Sequence, residues 1–177
     1  MNEKPQIKTL LSAEQIAARV VELADQINKD YAGKNILLVG TLKGAYIFLA
    51  DLSRHLPDTT QIDFLKVSSY GDSTSPESEV KFDFYPMIDL KDKHVLLVED
   101  IVDTGHTLAF LRNYMLNENP ASLKVCALLD KPSRREATLD PIEYLGFAIP
   151  DEFVIGYGLD FAQNYRNLPY IGVLHSE

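Results

Sequence analysis

Three runs of consecutive apolar residues punctuate this chain: Ile36 to Val39, Val95 to Val98, and Leu123 to Leu129, the last interrupted by one lysine. A segment that is apolar on both faces suits the middle of a parallel sheet covered by helices on each side. Between the runs the period changes to that of a helix. Ile16, Val20, Leu23, Ala24 and Ile27 recur at helical spacing behind Ser12-Ala13-Glu14-Gln15, which has capping-box spacing, and Gly33 stops the segment. Ile47, Phe48, Leu49 and Leu52 mark a second helix, and Leu108, Leu111 and Met115 a third. Ile62, Phe64 and Val67 alternate with one slip and predict another strand, while Val80 to Phe84 alternates like an edge ribbon. Phe153 to Tyr157 and Tyr170 to Leu174 add two short strands. Strands alternating with helices predict one α/β domain built on a mainly parallel sheet, and the late strands predict a smaller cap beside it.

Composition narrows the function. The 177 residues are 46% hydrophobic and 24% charged, in keeping with one soluble globular domain. No apolar run approaches the roughly 18 residues that span a bilayer, and Met-Asn-Glu-Lys-Pro at the start lacks a signal-peptide core, so the expectation is a cytoplasmic protein without membrane contact. A net charge of -9 argues against a nucleic-acid surface. It also repels phosphates at long range, so a phosphate site here must rely on local cations, metal and backbone N–H groups. Cys126, the only cysteine, sits in an apolar run and reads as a buried thiol.

Candidate chemistry gathers after the central run. Glu99 and Asp100 follow Val95 to Val98 directly, where open α/β sheets place their ligands. Asp103-Thr104-Gly105-His106-Thr107 then leads into the third helix, so backbone N–H groups and two threonine hydroxyls can converge on a phosphate. The acid pair would repel that phosphate; hydroxyls or a hard divalent cation are its natural partners. A strand-turn-helix with solvated acids is the plainer alternative. Leu42-Lys43-Gly44 sits behind another buried strand, where a lysine beside glycine can approach an anion or simply form a surface turn. Lys131 lies just after the strand predicted from the third run, at the edge where ligands are expected, and Arg134 and Arg135 after it read as solvated surface. The polar stretch Ser69 to Ser78 is too long for an ordinary connection and reads as a functional lid or a disordered loop.

Glu99-Asp100-Ile101-Val102-Asp103-Thr104-Gly105 resembles the phosphoribosyl pyrophosphate signature of the purine phosphoribosyltransferases, in its hypoxanthine-guanine form. The resemblance implies the type I phosphoribosyltransferase fold over residues 1–177: a twisted central sheet flanked by helices, a small hood from about 1–12 and 140–177, and a mobile loop over about 69–86 opening at Ser69 and Tyr70. It implies transfer of phosphoribose from 5-phospho-α-D-ribose 1-diphosphate to hypoxanthine and guanine, in purine salvage. By the same likeness Asp103, Thr104, Gly105, His106 and Thr107 hold the 5-phosphate, while Glu99 and Asp100 hold ribose hydroxyls and metal. Leu42, Lys43, Gly44 and Arg166 hold pyrophosphate, with a cis peptide between Leu42 and Lys43. Lys131 donates to the purine oxygen, Phe153 stacks on the ring, Val154 offers backbone groups, and Asp160 holds a second Mg2+ through water. Asp103 is the general base at purine N7. Two Mg2+ per site and a homodimer or homotetramer complete the expectation. The chain departs from some relatives at His106, at Ala45 and beyond Gly71. A phosphoribosyl-binding regulator without catalysis and a xanthine-preferring transferase are the alternatives.

Overall fold

The three apolar runs lie side by side in the middle of a six-stranded sheet. In this computed structural model, which describes residues 6–70 and 79–175, the elements run β1 (Gln6–Leu11), α1 (Ala13–Asp30), β2 (Ile36–Thr41), α2 (Tyr46–Ser53), β3 (Gln61–Tyr70), β4 (Glu79–Phe84), β5 (His94–Val102), α3 (His106–Asn117), β6 (Ser122–Asp130), a 3-10 turn (Pro132–Arg134), β7 (Tyr144–Ala148), β8 (Val154–Ile155) and β9 (Ile171–His175). The order across the large sheet is β4-β3-β2-β5-β6-β7, parallel except for β4. All six residues of β2 are buried. Leu37 and Val39 of β2 and Leu97 of β5 face α3, packing with Leu108, Leu111 and Met115. Their neighbours Leu38, Leu96 and Val98 face the other way, onto Ile16, Val20 and Leu23 of α1 and Phe48 and Leu52 of α2. Two-sided burial is therefore why these strands carry no polar alternation.

The capping box forms as expected: the Gln15 N–H donates to Ser12 Oγ at 3.3 Å, and the Ser12 N–H to Gln15 Oε1 at 2.9 Å. Such a cap stabilises by about 1 kcal/mol. Among the described residues no helix is long and apolar enough to cross a membrane.

A separate three-stranded antiparallel sheet, β1-β9-β8, forms the hood. Tyr157 ties the hood segment to α2 by donating from its hydroxyl to Asp51 at 2.7 Å. One expected boundary changes. The expected hood takes in everything from about residue 140, but Tyr144–Ala148 is β7, an edge strand of the large sheet in parallel register with β6. Arg19 of α1 reaches across to it, donating to the carbonyls of Leu145 at 2.7 Å and Gly146 at 3.0 Å. Within the stretch expected as a mobile loop, about 69–86, Glu79–Phe84 pairs antiparallel with the end of β3. Residues 71–78, and with them most of the expected lid, lie outside the described residues, as do the side chains of Ser69 and Tyr70.

Candidate active site

The C-terminal ends of β2 and β5 open into a cavity of about 340 Å³. Its lining brings together Leu42, Lys43 and Gly44 after β2, Glu99 and Asp100 on β5, Asp103, Thr104, Gly105 and Thr107 at the start of α3, and Asp160 and Arg166 from the hood segment. Eleven residues expected from three distant stretches thus line one space. The Leu42–Lys43 peptide is cis. Gly44 fits because it has no side chain: an added Cβ would overlap the Asp100 carboxylate. Gly105, with φ +91°, makes the left-handed turn that starts α3 at the cavity wall.

Glu99 is 6% exposed. Thr41 Oγ1 donates to its Oε2 at 2.6 Å, while Oε1 is buried with no hydrogen-bond partner. Burial and the adjacent Asp100 push this carboxyl up to about 8, against the pull of Thr41. Burial also lifts Asp100 to about 6, opposed by the Ile101 N–H, which donates to Oδ1 at 2.8 Å, and by Arg166. Two carboxyls driven toward their neutral forms, one oxygen of them orphaned, fit a divalent cation that would hold both ionised. Among the described residues no group of three or more His, Cys, Asp or Glu side chains gathers to hold a metal.

The two cavity cations share one acceptor. Lys43 Nζ donates to Gln163 Oε1 at 3.0 Å and Arg166 Nη2 to the same oxygen at 3.3 Å. Arg166 also pairs with Asp160 at 2.6 Å and donates to the Gly158 carbonyl at 2.8 Å. The second Asp160 oxygen accepts the Gln163 N–H at 2.8 Å. Gln163 thus belongs to the site although nothing in its local sequence marks it.

The other expected residues stand apart from the cavity lining. Lys131, 7% exposed, lies beyond β6 with its Nζ 3.6 Å from Asp151. Phe153 is 53% exposed and meets Phe161 edge-on, with centroids 5.8 Å apart. Val154 is buried in β8. His106 is exposed, and its Nε2 lies 3.1 Å from Glu136. Arg134 and Arg135, expected as solvated surface, are both engaged: Arg134 Nε donates to Asp103 Oδ1 at 3.0 Å, and Arg135 binds the Asp130 carboxylate and donates to the Asp103 carbonyl at 2.8 Å. Sequence distance hides such contacts, since Asp103 and its two arginines are 31 and 32 positions apart.

The model of the phosphoribosyl transferase domain matches residues 6–162. The chain belongs to the phosphoribosyl transferase family. It is 46% identical over 171 residues to the hypoxanthine phosphoribosyltransferase of Escherichia coli (strain K12), covering 96% of each chain. It is also 46% identical over 170 residues to the hypoxanthine-guanine phosphoribosyltransferase of Streptococcus pneumoniae (strain ATCC BAA-255 / R6), covering 96% of this chain and 94% of that one. The crystal structure of a hypoxanthine-guanine phosphoribosyltransferase from Bacillus anthracis superimposes with a TM-score of 0.91 at 46% identity, covering 96% of this chain and all of that one. The fold is the type I phosphoribosyltransferase fold, and the chain is an enzyme of that family.

Proposed function

We propose that this chain transfers phosphoribose from 5-phospho-α-D-ribose 1-diphosphate to hypoxanthine and guanine, releasing pyrophosphate, in purine salvage. One observation carries the reading: a single cavity joins the turn at the start of α3, an acid pair of which Glu99 is buried, and two cations, and the Lys131 N–H donates to Val102 in its wall. The turn from Asp103 to Thr107 takes the 5-phosphate on backbone N–H groups and threonine hydroxyls, and His106 contributes there through its backbone. Glu99 and Asp100 take the ribose hydroxyls. Leu42, Lys43, Gly44 and Arg166 take the pyrophosphate, for which Gln163 would release both cations.

In the transfer the bond from ribose C1 to the pyrophosphate oxygen breaks and the bond from C1 to purine N9 forms. The electron pair of the broken bond leaves on pyrophosphate. Asp103, which lines the cavity, takes the proton from purine N7. Lys43 and Arg166 stabilise the charge that grows on the leaving group. Magnesium, held through Glu99, Asp100 and Asp160, would supply further positive charge to the ribose hydroxyls and the leaving pyrophosphate. Phe153 would stack on the base for roughly 1–3 kcal/mol without choosing among purines, and Val154 would offer backbone groups. Choice falls to Lys131, whose ammonium suits an oxo group and opposes the amino group of adenine.

The test is an assay of purified protein with magnesium and 5-phospho-α-D-ribose 1-diphosphate, offering hypoxanthine, guanine, xanthine, adenine and uracil in turn. Nucleotide should form with hypoxanthine and guanine. Product with uracil or adenine alone would overturn the base assignment, and no product with any base would overturn the enzymatic one.

A further inference from the structure

The loop after β6 is stitched to the loop after β5. Lys131 N–H donates to the Val102 carbonyl at 2.9 Å, and the N–H groups of Glu136 and Ala137 both donate to the Thr104 carbonyl at 3.0 Å. Arg135, anchored on Asp130, grips the Asp103 carbonyl. The main chain at Asp103 is thereby held in place. Its carboxylate has a different partner, one that faces solvent. Arg134 places Nε 3.0 Å from Asp103 Oδ1 and Nη1 3.7 Å from Asp151 Oδ2. The other Asp151 oxygen lies 3.6 Å from Lys131 Nζ. Four charges of alternating sign therefore run Asp103, Arg134, Asp151, Lys131, from the proposed base to the proposed purine donor.

Solvent exposure makes this chain easy to shift. The side chains of Asp103, Arg134 and Asp151 are 42%, 46% and 50% exposed, against 9% for Lys131. An exposed ion pair biases an equilibrium by no more than about fivefold. Arg134 hydrogen-bonds Asp103 at 3.0 Å and lies 3.7 Å from Asp151; between pairs this exposed such a preference is small, so a change at Lys131 is enough to tip the balance.

Resting on the function proposed above, we propose that Arg134 is a positioning residue for Asp103, with Asp151 as its second seat, and that the purine moves it. A 6-oxopurine docking at Lys131 draws the ammonium off Asp151. Asp151 then takes Arg134 more fully, and the Asp103 carboxylate is freed to accept the N7 proton. A purine with an amino group at that position does not attract the ammonium and leaves Asp103 engaged. Recognition of the oxo group and readiness of the base are thus linked through two residues that touch no reacting atom.

The experiment is a double-mutant cycle on single-turnover nucleotide formation at saturating hypoxanthine, using Asp151→Asn, Arg134→Gln and the pair. Asp151→Asn should slow the step about fivefold, because Arg134 then has Asp103 as its remaining carboxylate partner. Arg134→Gln should slow it less than about twofold, and Asp151→Asn should cost nothing further in that background. KM for 5-phospho-α-D-ribose 1-diphosphate should stay unchanged in all three. If Asp151→Asn costs the same in both backgrounds, Asp151 acts only through Lys131 and the proposal fails; a loss from Arg134→Gln as large as that from Asp151→Asn also ends it. Asp103→Asn keeps this apart from the underlying reading. Normal turnover there removes the base itself, whereas a large loss there with additive effects at Asp151 and Arg134 removes only the hand-over.

Discussion

Glu99→Gln is expected to flatten the stability of the metal-free protein between about pH 6.5 and 8.5. The ordinary value of this carboxyl is 4.5, and the fold pushes it to about 8 through burial and the neighbouring Asp100. Across that interval the native state holds a proton that the unfolded chain has already lost. Stability from this group is therefore fully present below 4.5 and is lost as pH rises toward 8. Integrating the proton difference over the chosen range gives a loss of about 2 kcal/mol. The corresponding loss at Asp100, lifted from 3.8 to about 6, falls mostly below it. Urea unfolding reads this directly: with a slope of roughly 2 kcal/mol/M, the midpoint of the unsubstituted protein should fall by about 1 M between the two pH values. The variant carries an amide that cannot ionise and should lose much less. That amide also disturbs the contact with Thr41, so the comparison lies in the pH slope and not in absolute stability. Saturating magnesium should recover the loss at pH 8.5 in the unsubstituted protein by binding the ionised pair in the native state alone. Parallel slopes for the two proteins would refute the reasoning.

Asp103→Asn should lower turnover by about 10²-fold while equilibrium binding of 5-phospho-α-D-ribose 1-diphosphate stays near normal; calorimetry beside initial rates separates the two. Lys131→Ala should raise KM for hypoxanthine far more than KM for the phosphoribosyl donor, and should relax exclusion of adenine in a competition assay. Gly44→Ala pushes a methyl group into Asp100, so donor affinity should fall at least about tenfold and thermal unfolding should come a few degrees earlier.

How much of this was legible from the chain depends on the range of the contacts involved. The cores of β2, β5 and β6 could be read because two-sided burial leaves a continuous apolar run, and α1 because its cap and its face are local patterns. Tyr144–Ala148 escaped because a five-residue strand with a central glycine and half-buried side chains carries neither signature. The turn from Asp103 to Thr107 and the acid pair were visible as consecutive residues. Gln163 was not, since it earns its place by meeting Lys43 120 positions away. The arginines after β6 were misjudged for a related reason: their charge suggests solvent, and the carboxylates that hold them come from other loops.

Arg19 has a bearing on how the protein behaves in a crowd. A terminal strand such as β7 offers a row of carbonyl and N–H groups on which a strand from another molecule can grow. Two carbonyls of this border strand, on Leu145 and Gly146, are already occupied by one guanidinium from α1. The helix that covers one face of the sheet therefore also blunts its border. Loss of that one side chain would open a template for association while leaving the catalytic pocket untouched.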